Sequence, residues 1–215
     1  MCMKVRPSIL FIGDSITDCG RKDDEEGIGW GYVRLIRDYL IATNPAGCPQ
    51  VINKGINGNR VTDLADRWPK DVIEMSADYV SISIGINDVW RQLDQPDIEQ
   101  IHPERFQKVY QALLDDLKQS SKVVIPVLME PTVIEEDVNS AGNLKLKQYV
   151  EIVRSLAEKN DGILVPTHEA FLSYLVKNQT HCLTTDGVHM NSTGNMLMAH
   201  TWLKSVLAHL KYTAA

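Results

Sequence analysis

The sequence predicts an α/β fold, a three-layer α/β/α sandwich around a five-stranded parallel sheet, and three observations predict it. Apolar runs of strand length recur along the chain, each is followed by helix-like sequence, and the first and fourth runs are apolar almost without interruption. Alternating strands and helices require parallel strands joined by right-handed crossovers, with helices on both faces of the sheet. A strand covered on both sides reads as a continuous hydrophobic run, as these two do.

In chain order, the strands are expected at Ser8 to Ile12, Gln50 to Asn53, Asp78 to Ile84, Lys122 to Leu128 and Gly162 to Val165. The first runs directly into Gly13-Asp14-Ser15, and the second is followed by a glycine-bearing loop and a helix at Val61 to Trp68. In the third, Ser81 and Ser83 alternate with Ile82 and Ile84; hydroxyls at a strand centre are buried, so these serines are small packing residues and not nucleophiles. Pro103 to Ser120 is the clearest helix, with Phe106, Val109, Tyr110, Leu113, Leu114 and Leu117 forming one apolar stripe. Leu146, Tyr149, Val150, Val153, Leu156 and Ala157 repeat that spacing before the last strand, and Trp202, Leu203, Val206, Leu207 and Leu210 repeat it near the C-terminus.

A chain of 215 residues with 44% hydrophobic content is expected to form one domain, 1–215, around a single core. The net charge of −6 disfavours binding to nucleic acid through its phosphates, which needs a dense positive field. A small or neutral partner is expected instead. The longest charge run, Asp23 to Glu26, reads as a solvated loop. Cys2, Cys19, Cys48 and Cys182 contain no C-x-x-C pair and are expected as reduced thiols. Near the N-terminus Lys4 and Arg6 precede an apolar run too short for a secretory signal, and no stretch reaches the ~18 apolar residues of a membrane helix. The expected setting is the cytoplasm, with no membrane partner.

An open parallel sheet binds ligands at the carboxyl ends of its strands. At the first such end, Gly13-Asp14-Ser15 would present a hydroxyl beside free backbone N–H groups, although a helix-capping or phosphate-cradling turn has the same composition. After the second strand, Gly58 could bring a bare N–H close to a ligand oxygen, or could simply shape a turn. At the third, the Asn87 amide could donate to a developing oxyanion, although Asn is also an ordinary turn residue. Near the C-terminus, Asp186-Gly187-Val188-His189 puts a carboxylate and an imidazole at i, i+3, so that the base can reach back to Ser15. Of the other histidines, His168, His181 and His200 lack a carboxylate three positions before them, and His102 and His209 read as surface or helix residues. The chain lacks H-E-x-x-H and paired C-x-x-C, which disfavours a metal site, and its first strand lacks G-x-G-x-x-G, which disfavours a dinucleotide. No cofactor is expected. Cys19, four residues after Ser15, reads as a buried bystander.

On these four blocks the sequence resembles the SGNH subgroup of GDSL hydrolases. The resemblance extends from Gly13 to His189 and implies a flavodoxin-like SGNH fold. It also implies Ser15 as nucleophile, His189 as general base, Asp186 as its orienting acid, and an oxyanion hole formed by Ser15, Gly58 and Asn87. The strings FIGDSITDCGR, NKGINGNRVTDLADRW and GINDVWRQ are similar to those of bacterial intracellular acetylxylan esterases. That similarity implies deacetylation of xylo-oligosaccharides by a cofactor-free homo-oligomer. Asn57 departs from the pattern, standing where many relatives have Ser, but it is not a triad position.

Asp14, Trp30, Trp90 and Arg91 are expected as substrate contacts, since an indole can stack on a sugar ring, while a tryptophan can equally serve the core or a subunit contact. A broader carboxylesterase, a lysophospholipase or a thioesterase would use the same triad, and acyl-length preference separates those readings. A non-catalytic anion-binding module could use the same loops, and turnover separates it.

Overall fold

In the computed structural model, residues 6–177 and 180–210 are described; Cys2 and Lys4, weighed above, lie outside them. The sheet has five parallel strands: β1 Ser8–Gly13, β2 Gln50–Gly55, β3 Tyr79–Ser83, β4 Ile125–Met129 and β5 Ile163–Val165, in the order β2-β1-β3-β4-β5. The helices are α1 Ser15–Asp18, α2 Tyr32–Thr43, α3 Val61–Trp68, α4 Ile86–Asp94, α5 Pro103–Gln119, α6 Ala141–Lys159, α7 Thr167–Lys177 and α8 Ser192–Val206. α2 and α7 pack on α8, while α3 and α6 pack on α5 and α4 on α6, giving the two helical layers of the expected sandwich.

Strand order places the site. From β1 the chain steps outward to β2 and then crosses to β3 on the other side of β1, so the loops after β1 and β3 diverge and leave a crevice at the carboxyl edge. The core beneath it is continuous. Ile9, Leu10, Phe11 and Ile12 are each 0% exposed, as strands sandwiched between helices must be. Trp202 of α8 tilts against Phe11 at 5.3 Å between ring centroids, and its indole N–H donates to the Ser81 hydroxyl at 3.0 Å. A large aromatic needs a partner for its N–H when buried, and Ser81 supplies one.

Several expected boundaries shift for physical reasons. β2 continues to Gly55 because Lys54 and Gly55 stay in register with Ile12 and Gly13, while the Lys54 ammonium reaches Asp71 at 3.1 Å. β4 starts only at Ile125: Val123 is 90% exposed, and pairing with β3 begins at Tyr79. The Asp23–Glu26 run is not simply a solvated loop. Asp24 is buried, accepts the N–H groups of Ile28 and Gly29, and pairs with Arg34 at 2.6 Å, which fastens the loop to α2. Among the described residues no helix is long and apolar enough to cross a membrane.

Candidate active site

β1 ends at Gly13, where a Cβ would lie 2.3 Å from the Ser83 carbonyl oxygen and 2.4 Å from the Thr17 hydroxyl. Only glycine allows this close approach of β1, β3 and α1. Asp14 then caps α1, its Oδ1 accepting the Ile16 N–H at 2.9 Å, so Ser15 takes the first helical position at the carboxyl edge. A helix N-cap of this kind contributes about 1 kcal/mol.

The other half comes from the segment before α8. Asp186 Oδ1 accepts the backbone N–H groups of Val188 at 3.0 Å and His189 at 2.7 Å, while its Oδ2 lies 2.6 Å from His189 Nδ1. Gly187, at φ +92, permits the tight turn that puts carboxylate and imidazole side by side. Across 174 residues of chain, His189 Nε2 stands 2.9 Å from Ser15 Oγ. A carboxylate facing Nδ1 selects the tautomer with its proton there, so Nε2 is left to accept the serine proton. Partial burial works against the Asp186 charge, but the His189 N–H, the imidazole and the Val188 N–H outweigh it and hold this carboxyl below the ordinary carboxylate range.

Asn87 is buried at the start of α4 and donates from Nδ2 to the Asn59 carbonyl at 3.0 Å, which brings it against the turn containing Gly58. Its amide has a second N–H. Arg67 of α3 organises the same edge, reaching the Gly13 carbonyl at 3.0 Å, the Lys54 carbonyl at 2.7 Å and the Asn59 side chain at 2.8 Å. Ser15, Cys19, Asn57, His189, Met190 and Asn195 line a cavity of about 220 Å³. Among the described residues no group of three or more His, Cys, Asp or Glu is arranged to hold a metal.

Of the expected substrate contacts, Asp14 needs correction. It is 2% exposed and spends a carboxylate oxygen on the α1 cap, so it faces the protein rather than a ligand. Trp90 and Arg91 stand on α4, where Ile86 and Val89 give the segment a buried helical face. The Trp90 indole and the His189 imidazole meet in a T-shaped contact at 6.0 Å between centroids. Arg91 instead pairs with Asp94 and lies over Trp90 at 4.8 Å, so its charge is already engaged. Trp30 is 64% exposed, beside the cavity wall at Gly20, with the Arg34 guanidinium over its ring at 4.5 Å. Cys19 is only partly buried and lines the cavity, but burial raises its thiol above the ordinary value, which keeps it protonated and poorly nucleophilic.

Two buried carboxyls flank this edge. Burial pushes Asp14 up to about 7 against the opposing Ile16 N–H, and pushes Asp88 up to about 7 against the Val61 N–H. Asp88 accepts that N–H at 3.1 Å and thereby ties α4 to the start of α3. Both groups hold a proton when folded well above their ordinary value of 3.8, so unfolding releases protons between those limits. Their stabilising contribution is present below the unfolded value and is lost as pH rises through about 7. Buried His168, lowered by burial, acts in the opposite sense and is unchanged in an Asp88 variant. Asp88→Asn mimics the neutral acid, so its Tm is expected to gain a few degrees on the wild type between pH 5 and pH 8; a Tm difference independent of pH would contradict this.

Residues 11–197 match the GDSL-like lipase/acylhydrolase family. An acetylxylan esterase of Geobacillus stearothermophilus is 40% identical over 205 residues, covering 92% of this chain and 93% of that protein. The crystal structure of Axe2, an acetylxylan esterase from Geobacillus stearothermophilus, superposes with a TM-score of 0.85 at 36% identity, covering 94% of this chain and 96% of that one. LAE5, an alpha/beta hydrolase enzyme from the metagenome of Lake Arreo, Spain, gives 0.85 at 33% identity, covering 93% and 94%.

Proposed function

This chain belongs to the GDSL-like lipase/acylhydrolase family and is a carboxylic ester hydrolase, and from that premise we propose that it deacetylates xylo-oligosaccharides through Ser15, His189 and Asp186. The observation that carries the proposal is the unbroken line from Ser15 Oγ to His189 Nε2, 2.9 Å, and from His189 Nδ1 to Asp186 Oδ2, 2.6 Å. Ser15 Oγ attacks the ester carbonyl while His189 Nε2 takes its proton, and Asp186 stabilises the imidazolium that forms. The carbonyl oxygen becomes an oxyanion, held by the Ser15 and Gly58 backbone N–H groups and the Asn87 amide. Collapse breaks the bond to the sugar oxygen, which takes the proton from His189 and leaves an acetyl-serine. Water, deprotonated by the same imidazole, attacks that acyl group; acetate departs and the proton returns to Ser15.

Similarity to acetylxylan esterases supports the substrate class, and the size of the cavity supports a short acyl group. Its volume of about 220 Å³ lies below the roughly 300 Å³ at which sites for drug-sized ligands begin. Trp30 beside it offers an exposed indole face for a sugar ring. The cytoplasmic setting and homo-oligomeric state expected from the sequence belong to the same proposal.

Acetate release from acetylated xylo-oligosaccharides, run beside a 4-nitrophenyl ester series, tests this reading. Release should be rapid, and kcat/KM should fall by about 10-fold or more from acetyl to butyryl if the site is shaped for a short acyl group. An optimum at octanoyl, or folded enzyme that frees no acetate from the oligosaccharides, would redirect the assignment to other esters.

A further inference from the structure

Leu183, Val188 and Met190 seat this segment on the core, but the Asp186 and His189 side chains themselves are 49% and 39% exposed. Catalytic groups must nevertheless be kept within about 0.5 Å of their productive geometry. Polar anchors on the backbone of this segment supply the constraint, and they converge on one turn after β4.

That turn is built from α6. Asn143, 0% exposed, accepts the Ile134 N–H at 2.9 Å and donates to the Glu135 and Asp137 carbonyls at 3.1 and 2.7 Å. Held in this way, Glu135 adopts φ +67, and its N–H donates to the Gly187 carbonyl at 2.7 Å. The next residue makes the larger contribution. Glu136 Oε1 accepts three hydrogen bonds, from the Leu183 N–H at 2.8 Å, the Thr184 N–H at 2.7 Å and the Thr184 hydroxyl at 2.5 Å. The Thr184 hydroxyl oxygen in turn accepts the Gly187 N–H at 3.2 Å, and Gly187 lies directly between Asp186 and Val188 in the acid–base turn.

We propose that Glu136 is a positioning residue for ester hydrolysis: through Thr184 its carboxylate fixes the turn that holds His189 against Ser15. The proposal rests on the assignment of Ser15, His189 and Asp186 as the reacting groups. Glu136 touches none of them. It faces a separate cavity of about 520 Å³, shared with Leu175, His181 and Cys182, and so has no access to substrate in the Ser15 cavity. Hydrogen bonds to a charged acceptor are about twice as strong as neutral ones, which suits a single oxygen to fixing the buried start of this segment, Leu183 and Thr184.

Steady-state kcat and KM for 4-nitrophenyl acetate test this in Glu136→Ala, Glu136→Gln, Thr184→Val and Thr184→Ser, with Ser15→Ala as reference. Glu136→Ala and Thr184→Val are expected to lower kcat about 10- to 100-fold, the scale of a sub-ångström to 1 Å misplacement, with KM within about twofold of wild type. Thr184→Ser, which keeps the hydroxyl, should restore most of the rate, whereas a merely structural threonine would tolerate valine as well as serine. The double variant Glu136→Ala/Thr184→Val should be no slower than the slower single, because both remove one linkage. Glu136→Gln keeps an acceptor oxygen and should fall less than Glu136→Ala. If Glu136→Ala fails to fold, the threonine pair decides the question. Wild-type kcat in folded Glu136→Ala or in Thr184→Val, or a rise in KM alone, would overturn the proposal. Wild-type turnover by Ser15→Ala would instead overturn the triad reading on which it rests, whatever the Glu136 variants do.

Discussion

Ser15→Ala is expected to lower kcat for acetyl ester hydrolysis by about 10⁶-fold, with His189→Ala falling nearly as far and the double variant no further. The two side chains act in one step: without the hydroxyl there is no acyl-enzyme, and without the imidazole the hydroxyl keeps its proton. The residue of activity over water comes from the oxyanion donors and binding, which neither change removes. Folding should survive in Ser15→Ala, because the α1 cap belongs to Asp14 Oδ1 and the Ile16 N–H rather than to the serine. Thermal unfolding alongside turnover therefore separates lost chemistry from lost structure. Mapping the acetyl group after quenching adds a second check. It should sit on Ser15, since the neighbouring Cys19 thiol is pushed up by burial, and acylation of Cys19 with Ser15 unmodified would reverse the assignment.

The sheet was legible because burial on both faces demands uninterrupted apolar strands, as Ile9 to Ile12 shows. Polar termini were less legible. Lys54 extends β2 with its charge satisfied laterally by Asp71, a partner 17 residues away that hydrophobic pattern does not encode. The start of α4 was less legible because Asn and Asp are ordinary turn formers, yet Asn87 and Asp88 are both buried and Asp88 accepts the N–H at the start of α3. The i, i+3 carboxylate–histidine spacing and the Gly-Asp-Ser turn pointed to the chemistry, because their geometry is local. Their meeting across the fold is not local, nor are the supports of that meeting. Arg67, Asn195 and Glu136 act through carbonyls and N–H groups of distant segments, and Asn195, for instance, accepts the Tyr32 N–H from the opposite end of the chain at 2.9 Å. Only the longer strings shared with a known family covered Arg67, and none of them covered the other two residues.

Asp186→Asn should be more damaging than Asp186→Ala, an order set by tautomer and exposure. In the wild type Oδ2 faces His189 Nδ1 while Oδ1 is occupied by two backbone N–H groups. Asparagine has a single acceptor oxygen, and those two N–H groups claim it, so its amide N–H is turned toward Nδ1. That contact favours the imidazole with its proton on Nε2, where it cannot accept from Ser15, and in a buried triad the same exchange lowers kcat by about 10⁴-fold. Alanine imposes no tautomer. Since the Asp186 side chain is 49% exposed, water can occupy the vacated position, accept the Nδ1 proton and meet the freed Val188 and His189 N–H groups, which keeps the expected loss below that of the asparagine variant. Rates of 4-nitrophenyl acetate hydrolysis by both variants at neutral pH decide the point. Equal losses would mean that charge alone matters at this position, while near-wild-type turnover in Asp186→Asn would mean that the carboxylate neither selects the tautomer nor stabilises the imidazolium.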